Sequence, residues 1–187
     1  MAEDAHILDL MFELGQLKRI SRSGWRLAGI DCPESVADHN SRTIQIGYLL
    51  ALMEGYEDPG EVCAILAFHE IAECRICDID KVANRYVDYD EEEILEDQVR
   101  PLGDMGKEIV ALTRKILRKD CRAGIIAKDA DFLETALTAK EYLEKGYDTK
   151  PWIKNSLGRL QTRSAIRLGQ ALPEVSSTDW WQGLKKL

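Results

Sequence analysis

The sequence predicts an all-helical protein, and three observations carry that prediction. Apolar residues recur at spacings of three and four through most of the chain, and alternating stretches are few. Glycine and proline, 13 and 5 in 187 residues, are sparse and well spaced, so long helices can run uninterrupted. Hydrophobic residues make up 45%, the ordinary share for a globular chain of a length that can bury a real core.

A first helix is expected over about 5–20, with Leu10, Met11, Leu14 and Leu17 on one face. The stretch SRSGWRLAGIDCPES (21–35), with two Gly and one Pro, breaks the pattern. A second helix is expected over about 34–54, with Pro33 near its start. Asp58 is a good N-cap for a third; Pro59 suits its first position and Glu61 completes a capping box. Its body, VCAILAFHEIAECRI (62–76), is apolar around most of its circumference, which predicts the central, most buried helix, carrying His69, Glu70 and Glu73. A loop (77–90) leads to an acidic helix, EEEILEDQV, ending at Pro101. Further helices are expected over 107–118, over 122–145 with Gly146 as its stop, and over 151–170. The tail TDWWQGLKKL (178–187) reads as a last short helix. Composition shifts nowhere enough to justify a cut. One domain over 1–187 is expected, with 171–187 as a C-terminal extension.

Several classes are disfavoured. A net charge of −8 argues against a nucleic-acid duplex as partner, though not against a small phosphate ester met by local cations or a metal. No segment approaches the roughly 20 apolar residues needed to span a bilayer. The start, MAEDAHILDLMFELG, is acidic where a signal peptide is basic, so a cytoplasmic location is expected. Five Cys (32, 63, 74, 77 and 121) do not read as a disulfide framework. Cys74 and Cys77 form a lone CxxC with no second pair, which reads as packing at a helix end. The acidic run 88–97 lacks the ligand alternation and central Gly of a calcium loop and reads as a solvated helix start.

The chemistry gathers around histidine. The chain has three: His6, His39 and His69. His69 and Glu73, four apart, share a helix face, and Glu70 follows His69 directly. A metal against that helix could take His69 and Glu70, with His39 from a second helix and Asp129 or Asp131 from KDADFLE (128–134). Mixed imidazole and carboxylate donors suit a divalent transition metal such as Mn, Co, Fe or Zn, in preference to Mg. Hydrolysing a phosphate ester near neutral pH needs a Lewis acid, an activated water and an acid to move protons. Lys18, Arg19 and Arg22 form a positive patch apt for phosphate. Trp25, in a Gly-flanked loop between basic residues, reads either as an ordinary core anchor or as a contact residue. Trp180 and Trp181 are expected to be buried against this chain or a second subunit.

Four blocks in order, SVADH (35–39), FHEIAE (68–73), CDIDK (77–81) and KDADFLE (128–134), resemble the HD-domain superfamily of metal-dependent phosphohydrolases. The likeness is greatest to its 5'-deoxynucleotidase-like branch, which GQLKRISRSGWRLAGIDCPESVADH (15–39) resembles almost along its whole length. The resemblance covers about 8–170 and implies a compact HD-domain helical bundle. It implies metal ligands at His39, His69, Glu70 and Asp131, the last preferred over Asp129 because the block aligns its second acid there. It implies catalytic roles in proton transfer and water placement for Glu73 and Asp78, and nucleotide contacts for Arg22, Trp25 and Glu34. One departure stands out: the family's His-Asp doublet is here His69-Glu70, with an arm one methylene longer. The implied activity is hydrolysis of deoxyribonucleoside 5'-monophosphates by a homodimer. Two other readings share these residues: a phosphohydrolase for a cyclic or signalling nucleotide, and a non-catalytic nucleotide-sensing module.

Overall fold

Nine α-helices joined by 3-10 turns make up residues 2–184, those described by this computed structural model, with side chains described over 4–184. They are α1 (Ala2–Leu14), α2 (Val36–Met53), α3 (Pro59–Phe68), α4 (Glu73–Ile76), α5 (Glu91–Val99), α6 (Asp104–Arg118), α7 (Arg122–Glu144), α8 (Lys150–Leu157) and α9 (Arg163–Ala171). Among the described residues there is no strand, only an isolated bridge between Ser21 and Ser35. No helix there is long and apolar enough to cross a membrane.

The start signals act as expected, with refinements. Ser35 caps α2: its side chain accepts from the Asp38 N–H and the Asp38 side chain accepts from the Ser35 N–H, a complete capping box. That box places the start of α2 at Val36 rather than at Glu34. Asp58 caps α3 by accepting from the Glu61 N–H, with Pro59 in the first turn. The expected second half of that box does not form. The Glu61 carboxylate goes instead to Lys115 of α6 at 2.5 Å and to the Tyr56 hydroxyl.

The first helix ends at Leu14, short of position 20, and tightens into a 3-10 turn at Gly15–Lys18. Two further expected helices are interrupted, and in each of these a side chain takes the backbone groups that the helix would have used. The third helix stops at Phe68 rather than running to Ile76. His69 turns its Nδ1 onto the Leu66 carbonyl at 2.8 Å, the acceptor that the Glu70 N–H would otherwise claim. The next bonds are tight i→i−3 turns, Ile71 to Phe68 and Glu73 to Glu70, before α4 resumes. The last long helix divides into α8 and α9. Buried Asp129 of α7 accepts from the Gln161 and Thr162 N–H groups and from the Thr162 hydroxyl, and Thr162 then caps α9. The tail forms only a 3-10 turn at Asp179–Trp181; positions 185–187 lie outside the described residues.

The central helix is α7, not the third helix as its apolar composition suggested. α7 contributes Ala123, Ile126, Ala127, Ala130 and Leu133 to a core shared with Leu50 of α2, Val62, Ile65 and Leu66 of α3, Ile116 of α6 and Ala165 of α9. Small residues allow this close approach. A Cβ on Gly47 of α2 would lie 2.3 Å from the Leu66 side chain, and one on Gly124 of α7 would lie 2.0 Å from the Lys115 carbonyl oxygen. A second core joins Leu10, Ile71, Leu95, Val99, Leu102 and Val110, and a third surrounds Trp25. The tail is tied to α7, where Lys140 donates to the Leu172 carbonyl and Glu144 accepts from Ser177. Trp180 is exposed, against the expectation that the tail aromatics are buried.

Candidate metal centre

α2, the end of α3 and the middle of α7 converge on one buried cluster. Donor atoms of His39, His69, Glu70 and Asp131 all lie within 4.8 Å of one another. Glu70 Oε1 is 3.4 Å from the Nε2 of each histidine, and Asp131 Oδ1 is 3.3 Å from His39 Nε2. The longer Glu70 arm therefore reaches the cluster. Its local backbone is the tight turn after His69, not a regular helix. Asp129, the alternative acid, lies two residues from Asp131 but is fully spent on the α8–α9 break.

Each imidazole is oriented from behind. His69 Nδ1 faces a carbonyl, which only accepts, so Nδ1 carries the proton and Nε2 is left with its lone pair. His39 Nδ1 lies 2.5 Å from Glu134 Oε2. Glu134 is fully buried and is itself held by Arg42 at 2.8 Å and by the Thr138 hydroxyl. This carboxylate–imidazole pairing is a common support for a metal-binding histidine. Glu134 was not assigned from sequence, although it ends the KDADFLE block. Its i, i+3 spacing from Asp131 on α7 was the available signal.

Both Nε2 atoms are buried and without a hydrogen-bond partner. Two orphaned imidazole nitrogens aimed at two carboxylates fit a divalent transition metal, whose mixed N and O donor set this is. The charge balance agrees. Burial works against ionisation of Glu70, but His69, His39 and Arg22 bring its pKa well below the usual carboxylate range. Burial likewise opposes Asp131, yet Lys128, His39 and His69 hold it well below. His39 is the converse: burial and Arg22 disfavour its charge, but Asp131, Glu134 and Glu70 raise it well above the usual histidine range. The cage attracts positive charge to Nε2, and a metal cation answers the same field.

Arg22, Glu73 and Asp78 border the cage. The Arg22 guanidinium lies 3.1 Å from Glu70, 4.0 Å from Glu73 and 3.9 Å from Asp78, and Asp78 accepts from the Ser23 N–H at 2.7 Å. Burial first, then the Glu70 and Asp78 charges, push the Glu73 carboxyl up to about 10, so it holds a proton at neutral pH. Asp78 is also raised, by burial, against the opposing pull of Arg22. Trp25 is 2% exposed; its indole N–H donates to Glu34 at 3.0 Å, and its ring packs on Tyr142 and Trp152. From the cage opens a cavity of about 340 Å³, bordered by Arg22, Trp25, Asp78, Asp131, Phe132 and Trp152. Lys18 and Arg19 are not among its lining residues.

This geometry on a helical frame is a convergent set of donors suited to one divalent metal. The chain belongs to the HD domain family, whose model matches residues 14–175. It is similar to the 5'-deoxynucleotidase HDDC2 of Danio rerio, 32% identical over 161 residues that cover 83% of this chain and 75% of the relative. It is similar to the structure of a conserved hypothetical protein from Pyrococcus furiosus, at 28% identity and a TM-score of 0.75, covering 90% of this chain and 99% of that one. A predicted metal-dependent phosphohydrolase from Magnetospirillum magnetotacticum shares the fold, with a TM-score of 0.73 at 20% identity and 92% of each chain covered. Family and nucleotidase relatives together mark the chain as a hydrolase.

Proposed function

We propose that this protein is a metal-dependent phosphomonoesterase that converts deoxyribonucleoside 5'-monophosphates to deoxynucleoside and phosphate. The observation that carries the reading is the pair of buried Nε2 atoms, without a hydrogen-bond partner, facing Glu70 and Asp131 beside a charged arginine. The nucleotidase names of the relatives support the substrate class.

In this reading His39, His69, Glu70 and Asp131 hold one divalent ion, of Mn, Co, Fe or Zn. The bound ion supplies Lewis acidity at the phosphoryl oxygens and a more acidic water. The chain does the rest. Arg22, fixed at the cage rim by three carboxylates, takes the phosphate oxygens, a bidentate match of charge and shape. Asp78, braced by the Ser23 N–H, accepts a proton from the attacking water. Glu73, protonated in its buried position, gives its proton to the leaving 5' oxygen as the P–O bond breaks. Trp25, pinned by Glu34, forms a rigid wall for the nucleotide.

The test is phosphate release from a panel of 5'-monophosphates with Mn, Co, Mg or no metal. Release should require added metal and fall at least a hundredfold in His69→Ala. If no metal supports release and His69→Ala equals the parent, the enzyme reading fails. We further read the protein as a single-domain, cytoplasmic homodimer that binds neither duplex nucleic acid nor membrane. The net charge of −8 supports the absence of a duplex partner, and the apolar residues Leu49 and Leu52 exposed on α2 support a second copy. Light scattering should give twice the chain mass.

A further inference from the structure

The cavity has a far lip that the chemistry above leaves unused. Lys81, from the loop after α4, and Arg159, just beyond α8, both line it. Neither has a carboxylate within ion-pair distance among the described residues. The other two cations that border the cavity or its aromatic wall, Arg22 and Lys128, each have at least one. The adjacent acid, Asp80, also lines the cavity; its Oδ1 accepts from the Val82 and Ala83 N–H groups at 2.8 and 3.0 Å, which orients the carboxylate along its own loop and not as an ion pair with Lys81. Lys81 and Arg159 also feel each other. Burial, and then the Arg159 charge, hold the Lys81 ammonium below its ordinary range. Both side chains are exposed, and the Asp80 carboxylate also lines the cavity, so the lip carries a net excess of one positive charge that solvent partly screens and that an anion would meet.

The lip is joined to the cage through an aromatic ring. Arg159 stacks over Phe132 at 5.5 Å, and Lys128 over the same ring at 5.2 Å. Lys128 in turn binds Asp131 at 2.7 Å. Phe132 and Trp152 are aromatic walls of the cavity, which is large enough for a nucleotide.

We infer that the cavity takes a nucleotide bearing a second phosphate group, with the scissile phosphate at the cage, the base against Phe132 and Trp152, and the second phosphate between Lys81 and Arg159. This rests on the phosphomonoesterase reading and extends its substrate class from 5'-monophosphates to 5'-phosphates that carry a second phosphate elsewhere. The bond changes are those of simple hydrolysis. The water oxygen joins the scissile phosphorus, the bond to the 5' oxygen breaks, that oxygen gains a proton, and the second phosphate is untouched. A deoxynucleoside 3',5'-bisphosphate and a 5'-phosphorylated dinucleotide both present this chemistry.

The test compares thymidine 5'-monophosphate, thymidine 3',5'-bisphosphate and 5'-phosphorylated dithymidine on the metal-loaded full chain, by calorimetric affinity and by phosphate release. The bisphosphate or the dinucleotide should bind about tenfold more tightly than the monophosphate, the gain of one charge-assisted contact. The Lys81→Ala/Arg159→Ala double variant should bring that ratio near one, and the Lys81→Arg/Arg159→Lys variant should keep it. Raising the salt should also erode it in the parent. Whichever compound binds better identifies the source of the second phosphate, and either supports the inference. A ratio near one in the parent, or one unchanged in the alanine variant, overturns it. If the monophosphate is hydrolysed with a ratio of one, the lip fails while the phosphomonoesterase stands. If nothing is hydrolysed but the ratio depends on Lys81 and Arg159, the catalytic reading fails and the lip stands.

Discussion

His39 and His69 present the same atom to the same cage, yet the fold mounts them by different chemistry. Behind His39 stands a charge, Glu134, fully buried and itself gripped by Arg42 and Thr138. Behind His69 stands only the Leu66 carbonyl, one turn back on its own chain. The two rings respond in opposite directions. The carboxylates raise the His39 pKa well above the usual range, whereas burial leads the lowering of His69. A charged mount makes a ring basic and ties it to the global packing of α2 on α7. A backbone mount leaves the ring neutral and ties it to local helix geometry.

The largest expected effect breaks the charged mount. Glu134→Ala leaves Arg42 and the His39 N–H without their buried partner. It should cost about 3–5 kcal/mol in denaturant unfolding and roughly 10–100-fold in metal affinity. An unchanged unfolding midpoint would show that the mount is not coupled to packing. Next comes proton release. A metal must displace the proton that the raised pKa keeps on His39 at neutral pH, whereas His69 is already neutral. Binding should therefore release about one proton per ion and weaken as pH falls. Calorimetry in buffers of different ionisation enthalpy measures this, and two protons would erase the contrast. Smaller still is the fate of the backbone mount. His69→Ala returns the Leu66 carbonyl to the helix ladder, so far-UV circular dichroism should gain a little helicity while stability falls less than in Glu134→Ala. The smallest effect lies just beyond it. Cys77 sits at φ 63°, a conformation that costs a non-glycine residue about 1 kcal/mol. Cys77→Gly should raise stability by about that amount, and a loss instead would show that the thiol packs usefully.

Much of this was legible in the sequence because it depends on local signals. Asp58 and Pro59 announce the start of α3, and Gly146 follows the end of α7. The four cage residues were named through the ordered resemblance of their blocks, and the structure brings them within one ligand shell. What escaped depends on partners far away in sequence. The apolar pattern of 62–76 runs straight through His69, so nothing in it marks the break. The division of 151–170 is set by Asp129, whose bonds to Gln161 and Thr162 cross the core. Glu134 gains its meaning only when α7 lies against α2, close to His39 and Arg42.

The bond from His69 to its own backbone makes the length of α3 and the posture of a cage side chain one variable. If the ring swings away, Leu66 regains a helical partner; if the helix lengthens through Glu70, the ring loses its anchor. An ion that fixes the imidazole therefore also fixes where α3 ends. Occupancy of the cage should be readable in the backbone that carries it, in the amide exchange of the turn at 69–72, without any probe that touches the ion.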